Sequence, residues 1–202
     1  MHNLLNSLTV LSVNTSFDQP SDPLALWYVA PGVAEIRPAV LGDLQHGCCE
    51  IKTLFSAISK GTESLVFNGD VPPSEYQRMA PPLMAGELPF PVTFGYCNVG
   101  RVVKGPTEWV GQTVFCLGPH QTVFHAPATL LAKVPQTVPP KRATLAANME
   151  TALNAVWTGK PAPADQIAVV GGGVVGLLVA FLCSQLPGAR VTLIDPLIAR
   201  EQ

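Results

Sequence analysis

Charged side chains are scarce in this sequence. They make up 13% of its 202 residues, against roughly 25% in an average soluble protein, while hydrophobic residues make up 48%. A disordered chain needs the opposite balance, so disorder is excluded as a description of the whole. Basic residues are not in excess: Lys+Arg 12 against Asp+Glu 14 leaves a net charge of −2. That offers no basic surface to nucleic acid phosphates. Cysteines are few and odd in number. Cys48, Cys49, Cys97, Cys116 and Cys183 lack C-x-x-C spacing, which argues against a disulfide framework and for a reducing, cytoplasmic setting. The opening MHNLLNSLTVLSV has no basic n-region and no small-x-small cleavage site. It reads as a loose leader over residues 1–25, not as a secretory signal. The run from Ile167 to Ala189 carries no charge and has the length to cross a bilayer. Three consecutive glycines within it, and Pro187-Gly188 near its end, fit a strand–turn–helix and not a spanning helix.

What is abundant is proline and glycine, 20 and 17 residues, which implies many turns and short elements. At ~150 residues per domain the chain is about one and a third domains. Over 26–140, short apolar runs are broken by Gly and Pro. Glu50 to Phe55 alternates as a half-buried strand should, and Gly100–Val103, Thr113–Cys116, Thr122–His125 and Leu130–Val134 read as further strands. This spacing predicts a compact β-barrel or sandwich. There is no internal repeat and no low-complexity tract.

After Pro139-Pro140 the pattern changes. Residues 141–157 read as one helix, with Leu145, Met149, Leu153 and Val156 on a stripe, Pro140 in the first turn and Gly159 at the stop. A Pro- and Ala-rich linker runs from Lys160 to Asp165. Then QIAVV (166–170) is a short β-branched run suited to a parallel strand. Gly171-Gly172-Gly173-Val174-Val175-Gly176 follows, satisfying G-x-G-x-x-G. An apolar helix from Val174 to about Leu186 comes next, then a second strand, Arg190 to Ile194, ending in Asp195. Each part has a task in dinucleotide binding. Gly171 permits the sharp turn, Gly173 admits a pyrophosphate to the backbone, and Gly176 lets helix and strand approach. The N–H groups of Val174 and Val175 lie at the positive end of the helix. Asp195 can accept from the adenosine ribose hydroxyls and repel a 2′-phosphate, favouring NAD over NADP. The plain alternative is a turn that only packs a helix on a sheet.

A β-rich domain, a hinge helix (141–160) and the βαβ start of a Rossmann domain (161–202), in that order, resemble the medium-chain dehydrogenase/reductase superfamily. The resemblance implies that 26–140 is an incomplete chaperonin-10-like barrel domain. Five stretches are similar to the bacteriochlorophyllide dehydrogenase-like branch: SAISKGTESLVFNGDVP (56–72), FGYCNVGRVV (94–103), VFCLGPHQTVF (114–124), AANMETALNAVW (146–157) and VVGGGVVGLLVAFL (169–182). The resemblance implies hydride transfer between a nicotinamide and a small alcohol or carbonyl, including a hydroxyethyl group on a tetrapyrrole-like substrate, and a homodimer in the complete protein. It places Ser59, Tyr96 and Ala147 where zinc-dependent relatives carry ligands. None of the three is a usual zinc ligand, and the lobe that carries a structural zinc is missing after Cys116-Leu117-Gly118, so no zinc is expected. It also gathers Ser59, Lys60 and Tyr96 around the substrate pocket. Tyr96 is then the hydrogen-bond donor to the substrate oxygen, Lys60 a positive charge beside it and Ser59 a proton relay. Each has an alternative: a buried ring, a solvated charge, a turn residue. Thr151 corresponds to a position facing the nicotinamide, on one face with Asn148. Thr62 reads as an N-cap and Glu63 as a complement to the positive start of a short helix. His120 is a lesser pocket candidate.

Only the first two strands of a six-stranded Rossmann order are recognisable before Gln202. The expectation from this is a truncated, inactive oxidoreductase whose strands 166–170 and 190–194 meet water. The alternative, from another class, is a non-catalytic remnant that binds a partner or the adenosine half of a nucleotide.

Overall fold

The computed structural model describes residues 9–11 and 22–197. It divides into two compact units, with the break between Thr144 and Leu145.

The sheet-rich unit contains β1 (Thr9–Leu11), β2 (Leu24–Ala30), β3 (Val33–Pro38), β4 (Cys48–Ile58), β5 (Val92–Thr93), β6 (Asn98–Lys104), β7 (Thr113–Cys116), β8 (Val123–Pro127) and β9 (Leu131–Lys133). The short helices α1 (Thr62–Asn68) and α2 (Tyr76–Met79) lie between β4 and β5. β4 is the organising strand, pairing antiparallel with β8 near its start, β6 along its middle and β1 at its end. The sheet continues β6-β7-β9, and a second sheet runs β3-β2-β5. Along β4, Cys49, Ile51 and Thr53 are buried in alternation, as period-two geometry requires. Its register against β6 shifts between Thr53 and Phe55. Beyond that irregularity Ser56 and Ala57 are both buried, so the bulge turns a polar side chain into the interior. One apolar cluster joins Ile51, Val102, Val114, Cys116 and Phe124. A second joins Tyr28, Val66, Val71, Val92 and Phe94. All five cysteines are free thiols, and all but Cys48 are buried.

The leader expected over 1–25 contains structure: Thr9–Leu11 pairs with Ser56–Ile58, and Leu24 and Ala25 open β2. Residues 1–8 and 12–21 of that stretch lie outside the described residues. The single helix expected over 141–157 is two, α3 (Pro140–Ala143) and α4 (Ala146–Gly159). The buried Thr144 hydroxyl donates to the Lys141 carbonyl at 2.8 Å, a local bond that competes with helix continuation. Pro140 opens α3 and α4 stops at Gly159, although the left-handed residue is Lys160, at φ 47°.

The second unit holds α4, β10 (Gln166–Val170), α5 (Val174–Ser184) and β11 (Arg190–Ile194). β10 and β11 are parallel, from Gln166 opposite Arg190 to Val170 opposite Ile194. α5 packs against both strands and against α4. The segment Ile167 to Ala189 is therefore strand, turn and helix. No helix among the described residues is long and apolar enough to cross a membrane.

Candidate functional site

The glycine-rich turn is built as follows. Gly171 leaves β10 at φ 102°, a left-handed conformation that a side chain strains. A Cβ on Gly176 would stand 1.8 Å from the Gly171 carbonyl oxygen, so only glycine lets the first turn of α5 lie against the end of β10. A Cβ on Gly173 would meet nothing within 4 Å. That open cradle borders the start of α5, where Val174 and Val175 present helix-initial N–H groups. The two valines are half-buried. Asp195 closes the turn: its Oδ2 accepts the Gly172 N–H at 2.6 Å and its Oδ1 accepts the Leu197 N–H at 2.8 Å. The acid is thus a structural lock on the turn as well as the carboxylate at the end of the second strand. Thr151 is exposed on α4 and donates its hydroxyl to the Ala147 carbonyl at 3.1 Å, so the same oxygen keeps its capacity to accept.

In the sheet-rich unit, Tyr96 lies in the loop between β5 and β6 and is half-buried. Burial raises its phenol pKa. Hydrogen bonding with the Ser59 and Thr62 side chains pulls it down, and Cys97 and Glu63 push it up again. Ser59 and Tyr96 therefore belong to one neighbourhood. Lys60 is exposed in the turn before α1 and is not among the groups that act on the phenol. Thr62 is the first residue of α1, whose N-cap is Gly61 without a side-chain cap bond. The expected N-cap role thus falls to a main-chain turn, and Thr62 serves Tyr96.

Sequence reasoning gives Glu63 as a complement to the positive start of α1; the structure adds that its side chain is buried, at a relative exposure of 1%. Oε1 accepts the Ser59 N–H at 2.7 Å; Oε2 accepts the Tyr28 O–H at 3.1 Å and faces His120 Nε2 at 2.8 Å. The other ring nitrogen, Nδ1, lies 2.9 Å from Ser56 Oγ. Nε2–H donates to the carboxylate, and at Nδ1 the tautomer sets which of the ring and the Ser56 hydroxyl donates. Tyr28, beside that carboxylate, has its pKa raised, first by burial and then by Glu63. One sequence signal was available. Glu63 and Val66 stand three apart on α1, so an acid shares the face that enters the core.

Among the described residues, no group of three or more His, Cys, Asp or Glu side chains is placed to hold a metal ion. The side chains that hydrogen-bond Tyr96 are hydroxyls, and the His120 imidazole is engaged by Glu63 and Ser56.

No protein-family model matches the chain, and no curated protein does. Solved structures do. A short-chain alcohol dehydrogenase from E. coli CFT073, complexed with NADH, superposes with a TM-score of 0.71 at 17% identity, over 89% of this chain and 59% of that one. The 2R,3R-butanediol dehydrogenase of Bacillus subtilis gives 0.72 at 18%, over 90% and 60%. The quinone oxidoreductase of Thermus thermophilus, solved also with NADPH, gives 0.66 at 17%, over 88% and 55%. The likeness is one of fold, and the chain spans under two thirds of each of these structures.

Proposed function

We propose that the chain carries the dinucleotide cradle and the substrate-polarising residues of a nicotinamide-dependent oxidoreductase that interconverts an alcohol and a carbonyl. The observation that carries this is the turn between β10 and α5. An open Gly173, a Gly176 that must be glycine and an acid at the end of the paired parallel strand form the geometry that receives a pyrophosphate. When bound, the nicotinamide supplies hydride transfer. The chain supplies the rest. The main-chain N–H groups at Gly173, Val174 and Val175 receive the phosphates, and Asp195 receives the ribose hydroxyls. Its negative charge favours NAD over NADP. Thr151 offers acceptor lone pairs toward the cofactor. On the sheet-rich side, read as a chaperonin-10-like domain, Tyr96 donates a hydrogen bond to the substrate oxygen and Ser59 passes its proton onward. Lys60 adds positive charge from the exposed turn. The absence of zinc from this scheme follows from the ligand positions held by Ser59, Tyr96 and Ala147. The narrower substrate, a hydroxyethyl group on a tetrapyrrole-like ring, rests on the similarity of the five stretches to the bacteriochlorophyllide dehydrogenase-like branch.

A second reading, a non-catalytic chain that binds a partner, draws on the exposed Phe181, Val170 and Ile194. Titration with NADH, following its fluorescence, separates the two. The first reading expects saturable binding that Gly173→Val weakens about tenfold or more, because a branched side chain fills the cradle. The absence of saturable binding removes the oxidoreductase reading.

A further inference from the structure

Burying a carboxylate is unfavourable unless its lone pairs are met, and an apolar side chain could fill the same space. At Glu63 both oxygens are met, and the partners come from distant parts of the chain. Oε1 holds the main chain at Ser59. Oε2 gathers Tyr28 from β2 and His120 from the loop before β8. His120 is bound through both ring nitrogens, so its ring has no rotational freedom. That ring lies where a side chain on residue 95 would be: a Cβ on Gly95 would stand 2.8 Å from Nε2, and Gly95 sits at φ 133°. The His120 N–H also donates to the Phe94 carbonyl at 3.3 Å. Main chain on both sides of the tyrosine neighbourhood, at Ser59 and at Phe94-Gly95, is thus tied to one buried pair.

We infer that Glu63 and His120 form a positioning pair for Tyr96: the carboxylate fixes Ser59, which hydrogen-bonds the phenol, and the imidazole fixes Gly95, from which Tyr96 follows. The inference rests on the reading of Tyr96 as the group that meets the substrate oxygen. Its test does not use activity. The chain has three tyrosines, so carbon-13 at their Cζ atoms gives three resonances, each assigned by a Tyr→Phe substitution in the full chain. Glu63→Ala should shift the Tyr96 resonance and speed hydrogen exchange at the Ser59 amide by at least about tenfold beyond the change in global stability. Glu63→Gln, whose amide oxygen accepts the same N–H, should return Ser59 exchange to within about threefold of the parent. Val114→Ala, in the other apolar cluster and away from Tyr28 and Tyr96, should lower the melting midpoint and move neither signal. A Tyr96 resonance unmoved in Glu63→Ala, or moved as far by Val114→Ala, overturns the inference. If Glu63→Ala does not fold, the unmodified chain decides. A Ser59 amide protected like the interior of β4 supports the tie, and one exchanging like an open loop overturns it. Absence of saturable NADH binding removes the oxidoreductase reading alone and leaves the positioning to the two signals.

Discussion

Gly173 and Gly176 stand three residues apart in the same turn and are glycine for opposite reasons. At Gly173 the space beyond the Cα is empty; at Gly176 it is filled by the Gly171 carbonyl oxygen 1.8 Å from where a Cβ would be. Gly176→Ala should therefore destabilise the second unit by about 3 kcal/mol, the upper end of overpacking costs, because main chain and not a flexible side chain must move. Gly173→Val should leave the melt unchanged while it weakens NADH. Urea melts of both variants check the pair, and equal midpoints for Gly176→Ala and the parent would contradict the close approach. These positions were legible in the sequence because the constraint is local: strand, turn and helix follow one another within a few residues. The burial of Glu63 had one local sign, its place on the Val66 face of α1, but its hydrogen-bond partners had none. Its partners Tyr28 and His120 lie 35 and 57 residues away in the chain, and nothing near position 63 announces them. Ser56 enters the same network only through the irregularity of β4, which no alternation of polar and apolar residues encodes.

At the scale of elements, periodicity locates strands well and boundaries poorly. The run at 113–116 is a strand with the expected ends, whereas the one begun at Glu50 extends from Cys48 to Ile58 because it serves three neighbours in turn. LALWYVA (24–30) shows no alternation, and its first two residues fall within the expected leader. It forms β2 by pairing with β3 on one edge and β5 on the other. The expectation that β10 and β11 would meet water holds for one face. Ile167, Val169, Val191 and Leu193 are buried or half-buried, while Val170 is 81% exposed and Ile194 50%. An exposed β-branched residue on a short parallel pair invites association through that face. Val170→Lys should reduce light scattering on concentration and shift stability by no more than about 0.5 kcal/mol, as at other exposed sites. A large loss of stability in that variant would show that the face is covered in solution.

At the scale of the molecule, proton affinity is distributed unevenly. Tyr28, Cys49, Tyr96, Cys97 and Cys116 all have raised pKa values with burial the leading cause, and all lie within Thr9–Thr144. Burial pushes the Cys97 thiol up to about 12 and the Cys116 thiol to about 11, from an ordinary 9.0. These groups are neutral when protonated, so the folded unit keeps protons that the unfolded chain releases. Stability is then fully present below pH ~9 and falls as pH rises from there toward the folded values, because the unfolded state binds fewer protons in that window. The urea midpoint of the sheet-rich unit should accordingly drop between about pH 9 and about pH 11. Trp27 and Trp109 report on that unit and Trp157 on the other, so fluorescence of a Trp157→Phe variant isolates the signal. A midpoint that stays level over this range would mean that water reaches Cys97 and Cys116 in solution, and that the interior around Glu63 and His120 is wetter than a buried positioning pair requires.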